Sequence, residues 1–267
     1  MDKNQLSLLE VTHYSDAEVL DNVKMFHSRG LFTSLTETAE RTYVSAVPPE
    51  SLKRFENKEI LLQPGLSRLL KVNERDRIFT ERKPSGIHFI DERKISFDDV
   101  TRLLINAFSS GDPDSVRRPY PSGGAQYPVE VFMCRLTENT DGWPADINAF
   151  HYLPVSRSLE SAGAPALNDL YRALAGGDQE RLGRPHFALV YFIVFEKALF
   201  KYRYRGYRMA MMEAGSMYQN AGMVADRLGL SNRVWAAFTD TYVSKMLNVD
   251  MRTAAPLIVQ FFGDYNP

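Results

Sequence analysis

The run FKYRYRGYRMAMMEAG, residues 200–215, and Lys197 just before it interleave five cations (Lys197, Lys201, Arg203, Arg205 and Arg208) with Tyr202, Tyr204 and Tyr207. Amines and phenols crowded in this way can move a proton when one of them is poised near the working pH. The segment passes abruptly into an apolar, small-residue helix pattern. Such charge density beside a buried element is costly unless an anion or a reacting group uses it. The stretch therefore reads as facing a cofactor and carrying acid–base chemistry. In a regular strand Lys201 and Tyr202 would face opposite sides, so a shared site requires a turn or a helical start. The plainer alternative is a basic segment that snorkels to water over packed tyrosines.

A ligand loop is the second requirement. SVRRPYPSGGAQYP, residues 115–128, is the best candidate. Gly123 and Gly124 allow a planar or anionic ligand to approach the backbone, Ser122 adds a hydroxyl, and the prolines hold the loop open. The same letters also describe a plain turn. No Walker loop, GxGxxG or GxSxG elbow occurs. The five histidines (His13, His27, His88, His151 and His186) are scattered without ligand spacing, so no metal is expected.

The positioning elements follow from periodicity. Asp16 to His27 predicts a short amphipathic helix, and Glu50 to Phe55 a second helical piece. Ser96, with Asp99 three residues on, predicts a helix N-terminus followed by the stripe Val100, Leu103, Leu104, Ala107 and Phe108. VEVFMCRL and INAFHYL predict strands, Leu167 to Ala175 a helix, and HFALVYFIVF (186–195) a strand buried on both faces. Met209 to Leu228 predicts a buried helix stopped by Gly229, with Gly215 and Gly222 admitting a close neighbour. VWAAF, a helix over Asp240–Leu247 and the strand PLIVQFF close the chain. Helices and strands mix without a βαβ repeat, which gives the class α+β.

With 267 residues, 44% of them hydrophobic, the chain has ample core. A net charge of -1 gives no reason to expect nucleic acid or an anionic membrane as partner. No apolar run reaches the ~18 residues that span a bilayer. A single cysteine, Cys134, in an apolar run reads as a buried structural thiol in a reducing compartment. The N-terminus lacks a secretory layout, so a cytoplasmic location is expected. Residues 1–80 read as an accessory, partner-docking region before a domain over 81–267.

PSGGAQYPVEVFMCRL, INAFHYLP, KYRYRGYRMAMMEAGSMYQNAGMVADRLGL and AAFTD, in that order, resemble the SagB/McbC-type azoline dehydrogenases. That family has the nitroreductase-like FMN fold, a central mixed or antiparallel sheet with flanking helices; here it would carry an N-terminal appendage. The N-terminal portion is similar to the dehydrogenase subunit of a microcin-type azole synthetase. The resemblance implies FMN and oxidation of peptide-borne thiazolines and oxazolines to thiazoles and oxazoles. It also implies a homodimer within a complex containing a YcaO-type cyclodehydratase, an E1-like peptide-binding subunit and the precursor peptide. Lys201 and Tyr202 fall on the family's catalytic Lys-Tyr pair, and Ser122, Gly123 and Gly124 on its flavin-contacting loop. Arg82 and Ser85 match its phosphate motif loosely, so phosphate neutralisation falls to Arg117, Arg118 or an arginine of the opening stretch. Gln219 and Asn220 complete the cofactor set. Two other functions stay open, a free-standing NAD(P)H-dependent nitroreductase-type enzyme and a non-catalytic scaffold subunit.

Overall fold

The computed structural model describes residues 14–33, 48, 50, 88–112, 115 and 117–265. Arg82, Ser85 and all but Glu50 of the helical piece over 50–55 lie outside the described residues. The chain divides into a unit of residues 1–40 with 85–267 and a second of 41–84. The first is described here.

Seven strands form one antiparallel sheet. They are β1 (Phe89–Ile90), β3 (Val129–Arg135), β5 (Ala149–Leu153), β6 (Ser158–Gly163), β7 (Phe187–Val194), β8 (Ser231–Trp235) and β9 (Ala254–Tyr265). Their order is β1-β9-β7-β3-β5-β6, and β8 also pairs with β9. A two-residue parallel pairing joins β2 (Ile95–Ser96) to β4 (Thr140–Asp141). The helices are α1 (Ala17–Ser28), α2 (Phe97–Phe108), α3 (Leu167–Ala175), α4 (Gln179–Leu182), α5 (Phe195–Tyr202), α6 (Tyr204–Arg227) and α7 (Asp240–Met246). Among the described residues, no helix is long and apolar enough to cross a membrane.

The charge-free run in β7 has the character it does because both of its faces are covered. Phe187, Leu189, Tyr191 and Ile193 enter a core shared with α2, α5 and α6. Ala188, Val190 and Phe192 enter a second core with α3 and α7. That alternation places the sheet between two helical layers. The Ser96 signal also holds. Its hydroxyl oxygen accepts from the Asp99 N–H (3.0 Å), and its O–H donates to the Asp99 carboxylate (2.8 Å), closing the first turn of α2.

The backbone left open at the basic run is helical: β7 ends at Val194 and α5 begins at once, so Lys201 and Tyr202 are the last two residues of a helix. Two readings need correction. The long helix starts at Tyr204 rather than Met209, because the chain breaks only at Arg203, where φ is 51°. The closest backbone approach at a helical glycine falls at Gly206, not at Gly215 or Gly222. Within this chain the atoms nearest to a Cβ on Gly215 belong to the Tyr218 side chain, and to one on Gly222 the Asn232 side chain. At Gly206 a Cβ would strike the Ala198 carbonyl oxygen and lie 3.5 Å from Leu199 Cα, so this glycine lets α5 fold back on α6. Gly206→Ala is expected to destabilise the protein by about 1–3 kcal/mol through overpacking, measured as the shift of the denaturant midpoint. A midpoint equal to wild type would show that the two helices have room to spare.

Candidate active site

The pair at the end of α5 and the glycine turn meet. Gly123–Ala125 form one tight turn, with φ positive at Gly124 (61°), Ala125 (54°) and Tyr127 (48°). A Cβ built on Gly124 would collide with Tyr202 Oη and stand 3.0 Å from Lys201 Nζ. Both reactive atoms are thus packed against a position where only glycine leaves room. The ammonium of Lys201 also lies 5.2 Å from the centroid of the Tyr202 ring. Successive helical residues point about 100° apart rather than 180°, and the break at Arg203 lets both side chains reach one place. The condition that the sequence left open, a non-strand backbone, is met.

The cations of the opening stretch have separate fates. Lys197 pairs with Glu130 on β3 at 2.8 Å. Burial pushes that carboxyl up, but Lys197 and the His151 ring, 3.5 Å away, outweigh it and hold Glu130 down at about 2. Arg203 pairs with Asp16 at 2.7 Å, so its field is matched by a carboxylate. Among the described residues no ion pair engages Lys201, Arg205 or Arg208, and all three are exposed. These three charges lie at the surface, beside the buried face of α6. The tyrosines turn the other way. Tyr204 accepts from the Asn22 amide at 2.8 Å, and Tyr207 hydrogen-bonds His27 at 3.0 Å. With Lys24 on buried Glu196 at 3.2 Å, these bonds seat α1 against α5 and the start of α6.

The loop residues divide as well. Arg117 is exposed. Arg118 is committed inward, stacking 4.3 Å from the centroid of the Tyr127 ring and donating to the Tyr120 hydroxyl at 3.0 Å. Ser122 does not point outward as a free hydroxyl: its oxygen accepts from the Tyr127 N–H at 2.8 Å. The turn's own backbone bonds run from Ala125 to Ser122 (3.2 Å) and from Gln126 to Gly123 (3.4 Å). The N–H groups of Gly123 and Gly124 consequently find no acceptor inside the turn. Gln219 is exposed on α6, whereas the Asn220 amide donates to the Ala107 carbonyl at 2.8 Å, tying α6 to the end of α2.

One residue escaped sequence reading. Glu213 on α6 is 3% exposed and accepts from the Val129 N–H at 3.3 Å. Burial pushes its carboxyl up to about 7, against the pull of the Ser122 hydroxyl, the Val129 N–H, Arg118 and Lys197. An acid in the middle of an apolar helix was the available signal. Because its folded pKa exceeds the ordinary carboxyl value of 4.5, the native state binds the extra proton between those values. Stability is therefore expected to fall as pH rises from about 4.5 through 7, by up to ~3 kcal/mol. Glu213→Gln should lack that share of the fall, read as the difference between the two proteins' urea midpoints across the window. Parallel midpoint curves would contradict it.

The nitroreductase family model matches residues 88–264. The microcin B17-processing protein McbC of Escherichia coli is 63% identical over 266 residues, spanning 100% of this chain and 98% of that protein. A chain of the E. coli microcin synthetase McbBCD complex, solved with truncated pro-MccB17 bound, superposes with a TM-score of 0.93 at 63% identity, covering 100% of both chains. A putative nitroreductase of Ralstonia eutropha shares the fold at a TM-score of 0.53 and 16% identity, over 79% of this chain and 97% of that one. With its antiparallel sheet, helical hinge and glycine turn, and with these likenesses, the chain belongs to the nitroreductase family.

Proposed function

We propose that this protein is an FMN-dependent azoline dehydrogenase. It would oxidise thiazolines and oxazolines in a ribosomally made, microcin-type peptide to thiazoles and oxazoles. The observation that carries this reading is the convergence of Lys201 Nζ and Tyr202 Oη on Gly124 of the exposed turn. The donor set suits a planar, anionic cofactor. Two glycine N–H groups lack acceptors in their turn, and Lys201, Arg117, Arg205 and Arg208 are exposed cations around a surface site. Gly123 and Gly124 would hold FMN by their backbone, with Arg117 for its phosphate. Bound FMN supplies the acceptor for the hydride equivalent that leaves the ring Cβ.

The protein's own contribution is proton chemistry and orientation. Aromatisation also removes a proton from the azoline Cα. Either Lys201 Nζ or the Tyr202 phenolate takes that proton; Tyr202 in the first case polarises the ring nitrogen, and Lys201 in the second holds the phenolate until it is protonated. A positioned base contributes about 10²–10⁴-fold. The Gly124 backbone holds both atoms in place before the ring arrives. By its likeness to McbC the chain would work beside a YcaO-type cyclodehydratase and an E1-like subunit that presents the precursor peptide, as a homodimer and in the cytoplasm.

The absorption spectrum of the purified protein tests the cofactor assignment. A flavin spectrum whose chromophore is released as FMN on denaturation supports it. A colourless protein that is still required for ring formation would make the subunit a scaffold. Rapid bleaching of the flavin by NAD(P)H without any partner would favour a free-standing reductase instead.

A further inference from the structure

Arg203 carries a Cβ in a conformation that suits glycine. Its φ of 51° comes with a ψ of -136°, outside the left-handed helical region and close to the first central position of a type II′ turn. A residue with a side chain stays there only where its surroundings over-determine it. Two backbone bonds shape the break, from the Arg203 N–H to the Leu199 carbonyl (2.7 Å) and from the Gly206 N–H to the Arg203 carbonyl (2.9 Å), but neither holds a side chain. Among the described residues, the side-chain hydrogen bonds and ion pairs of Arg203, Tyr204 and Tyr207 all run to α1. Arg203 pairs with Asp16 at 2.7 Å, Tyr204 accepts from Asn22 at 2.8 Å, and Tyr207 bonds His27 at 3.0 Å. At the other end of α5, Lys24 pairs with Glu196 at 3.2 Å and lies 5.7 Å from the centroid of the Phe195 ring. His27 packs edge-on against that same ring at 5.4 Å. Helix α1 thus grips α5 at both ends, and Lys201 and Tyr202 sit just before the second grip.

We propose that α1 is a positioning element of the active site: it holds the break at Arg203, and thereby the place where Lys201 and Tyr202 meet Gly124. The proposal rests on the azoline-oxidation reading for its kinetic consequence, but not for its structural one. Helix α1 lies ahead of residues 88–264, the part that matches the family model, yet it belongs to the same unit as the sheet. Val19 and Val23 anchor it in the first core. Its tethers differ in strength. The Arg203–Asp16 pair is exposed on both sides, 61% and 37%, and such a pair is weak by itself. Lys24 on Glu196 counts for more, because that carboxylate side chain is only 5% exposed and a buried charge left unpaired is costly. Asp16 has a second use. Its carboxylate accepts from the Val19 N–H at 3.2 Å, so the residue that caps α1 also ties the start of that helix to the break.

The test reads amide hydrogen exchange at Arg203 and Gly206 in the full chain, and kcat and KM for azoline oxidation in the assembled synthetase. Each variant is first shown to be folded by its melt. The triple variant Asp16→Asn, Asn22→Ala, Tyr207→Phe removes three tethers but keeps the helix cap, since asparagine caps as well as aspartate. It is expected to speed exchange at both amides and to lower kcat, each by about tenfold or more, with KM unchanged. Adding Arg203→Gly should restore most of both, because glycine takes that φ and ψ without a Cβ to oppose it. Arg203→Gly alone should turn over about tenfold faster than Arg203→Ala; both lack the guanidinium, so the difference reads the backbone. Should the triple variant fail to fold, Asp16→Asn alone carries the test, with kcat about two- to fivefold lower and no loss when Arg203→Gly is present. Wild-type exchange at both amides in the folded triple variant, or wild-type kcat in Asp16→Asn, would overturn the brace. Faster exchange with undiminished kcat would overturn the positioning role, and so would a loss that Arg203→Gly does not restore. If wild type itself left azolines unoxidised, the functional reading would fall, while the exchange results would still decide the brace.

Discussion

Gly124→Ala is expected to lower azoline turnover by about a hundredfold or more while the protein still folds. The reason is local. A methyl at 124 would occupy the space of Tyr202 Oη, approach Lys201 Nζ to 3.0 Å and come within 3.2 Å of Tyr202 Cζ. The turn cannot retreat easily, because φ is already +61° there and alanine resists that conformation by roughly 1–2 kcal/mol. The pair must therefore move, and a shift of ~1 Å in positioned groups costs about 10²-fold. Gly123→Ala is the control. Its Cβ would meet the Met209 side chain, a flexible thioether that can swing aside, so a much smaller loss is expected. Equal losses in the two variants, in a turnover assay paired with a melt, would mean that the pair is not what Gly124 accommodates.

The second large effect is at the pair itself. Lys201→Ala and Tyr202→Phe should both keep the flavin and both accumulate azolines in the peptide. Deleting the base should cost about 10²–10⁴-fold and deleting its partner less. Which variant loses more assigns the roles, since side-chain geometry alone presents both atoms to Gly124. Neither substitution removes buried core: Lys201 is exposed and Tyr202 half-buried. A fall in turnover should therefore come without a large change in melting. Undiminished aromatisation by both variants would remove the pair from the mechanism.

Much of the fold was legible because its signals are periodic. The β7 run, the α2 stripe behind Ser96 and the apolar face of α6 each repeat at the spacing of their element. β6 was missed because Ser158–Gly163 is largely exposed at the sheet edge and has no apolar alternation. Strand β8 was read late in the chain, as VWAAF, because its first four residues are half-buried and mostly polar. At the site, the resemblance supplied Lys201 and Tyr202, but local pattern could not show how they meet. That depends on a helix ending at Tyr202 and on one residue, Arg203, in a positive-φ conformation. Neither has a signature in the letters KYRYR.

The tertiary uses of charge were the least visible. Arg203 and Lys197 looked like parts of one cationic field, yet each is matched by a carboxylate far away in sequence, Asp16 and Glu130. The same holds for Arg118, whose guanidinium serves Tyr120 and Tyr127, and for the α1 residues that brace Tyr204 and Tyr207. Glu213 is the clearest case. Its hydrogen bond exists only because the Val129 N–H arrives above it from a different part of the chain.

On the proposed function, FMN bound at the glycine turn takes the hydride from the azoline ring while Lys201 and Tyr202 handle its proton. The direct measurement is the mass of the precursor peptide after incubation with its cyclodehydratase partners, with this protein and without it. The account predicts that each ring formed in its presence is lighter by two hydrogens than the ring formed in its absence, and that Lys201→Ala leaves the rings at the heavier mass. Rings of identical mass with and without a flavin-loaded wild-type protein would contradict it.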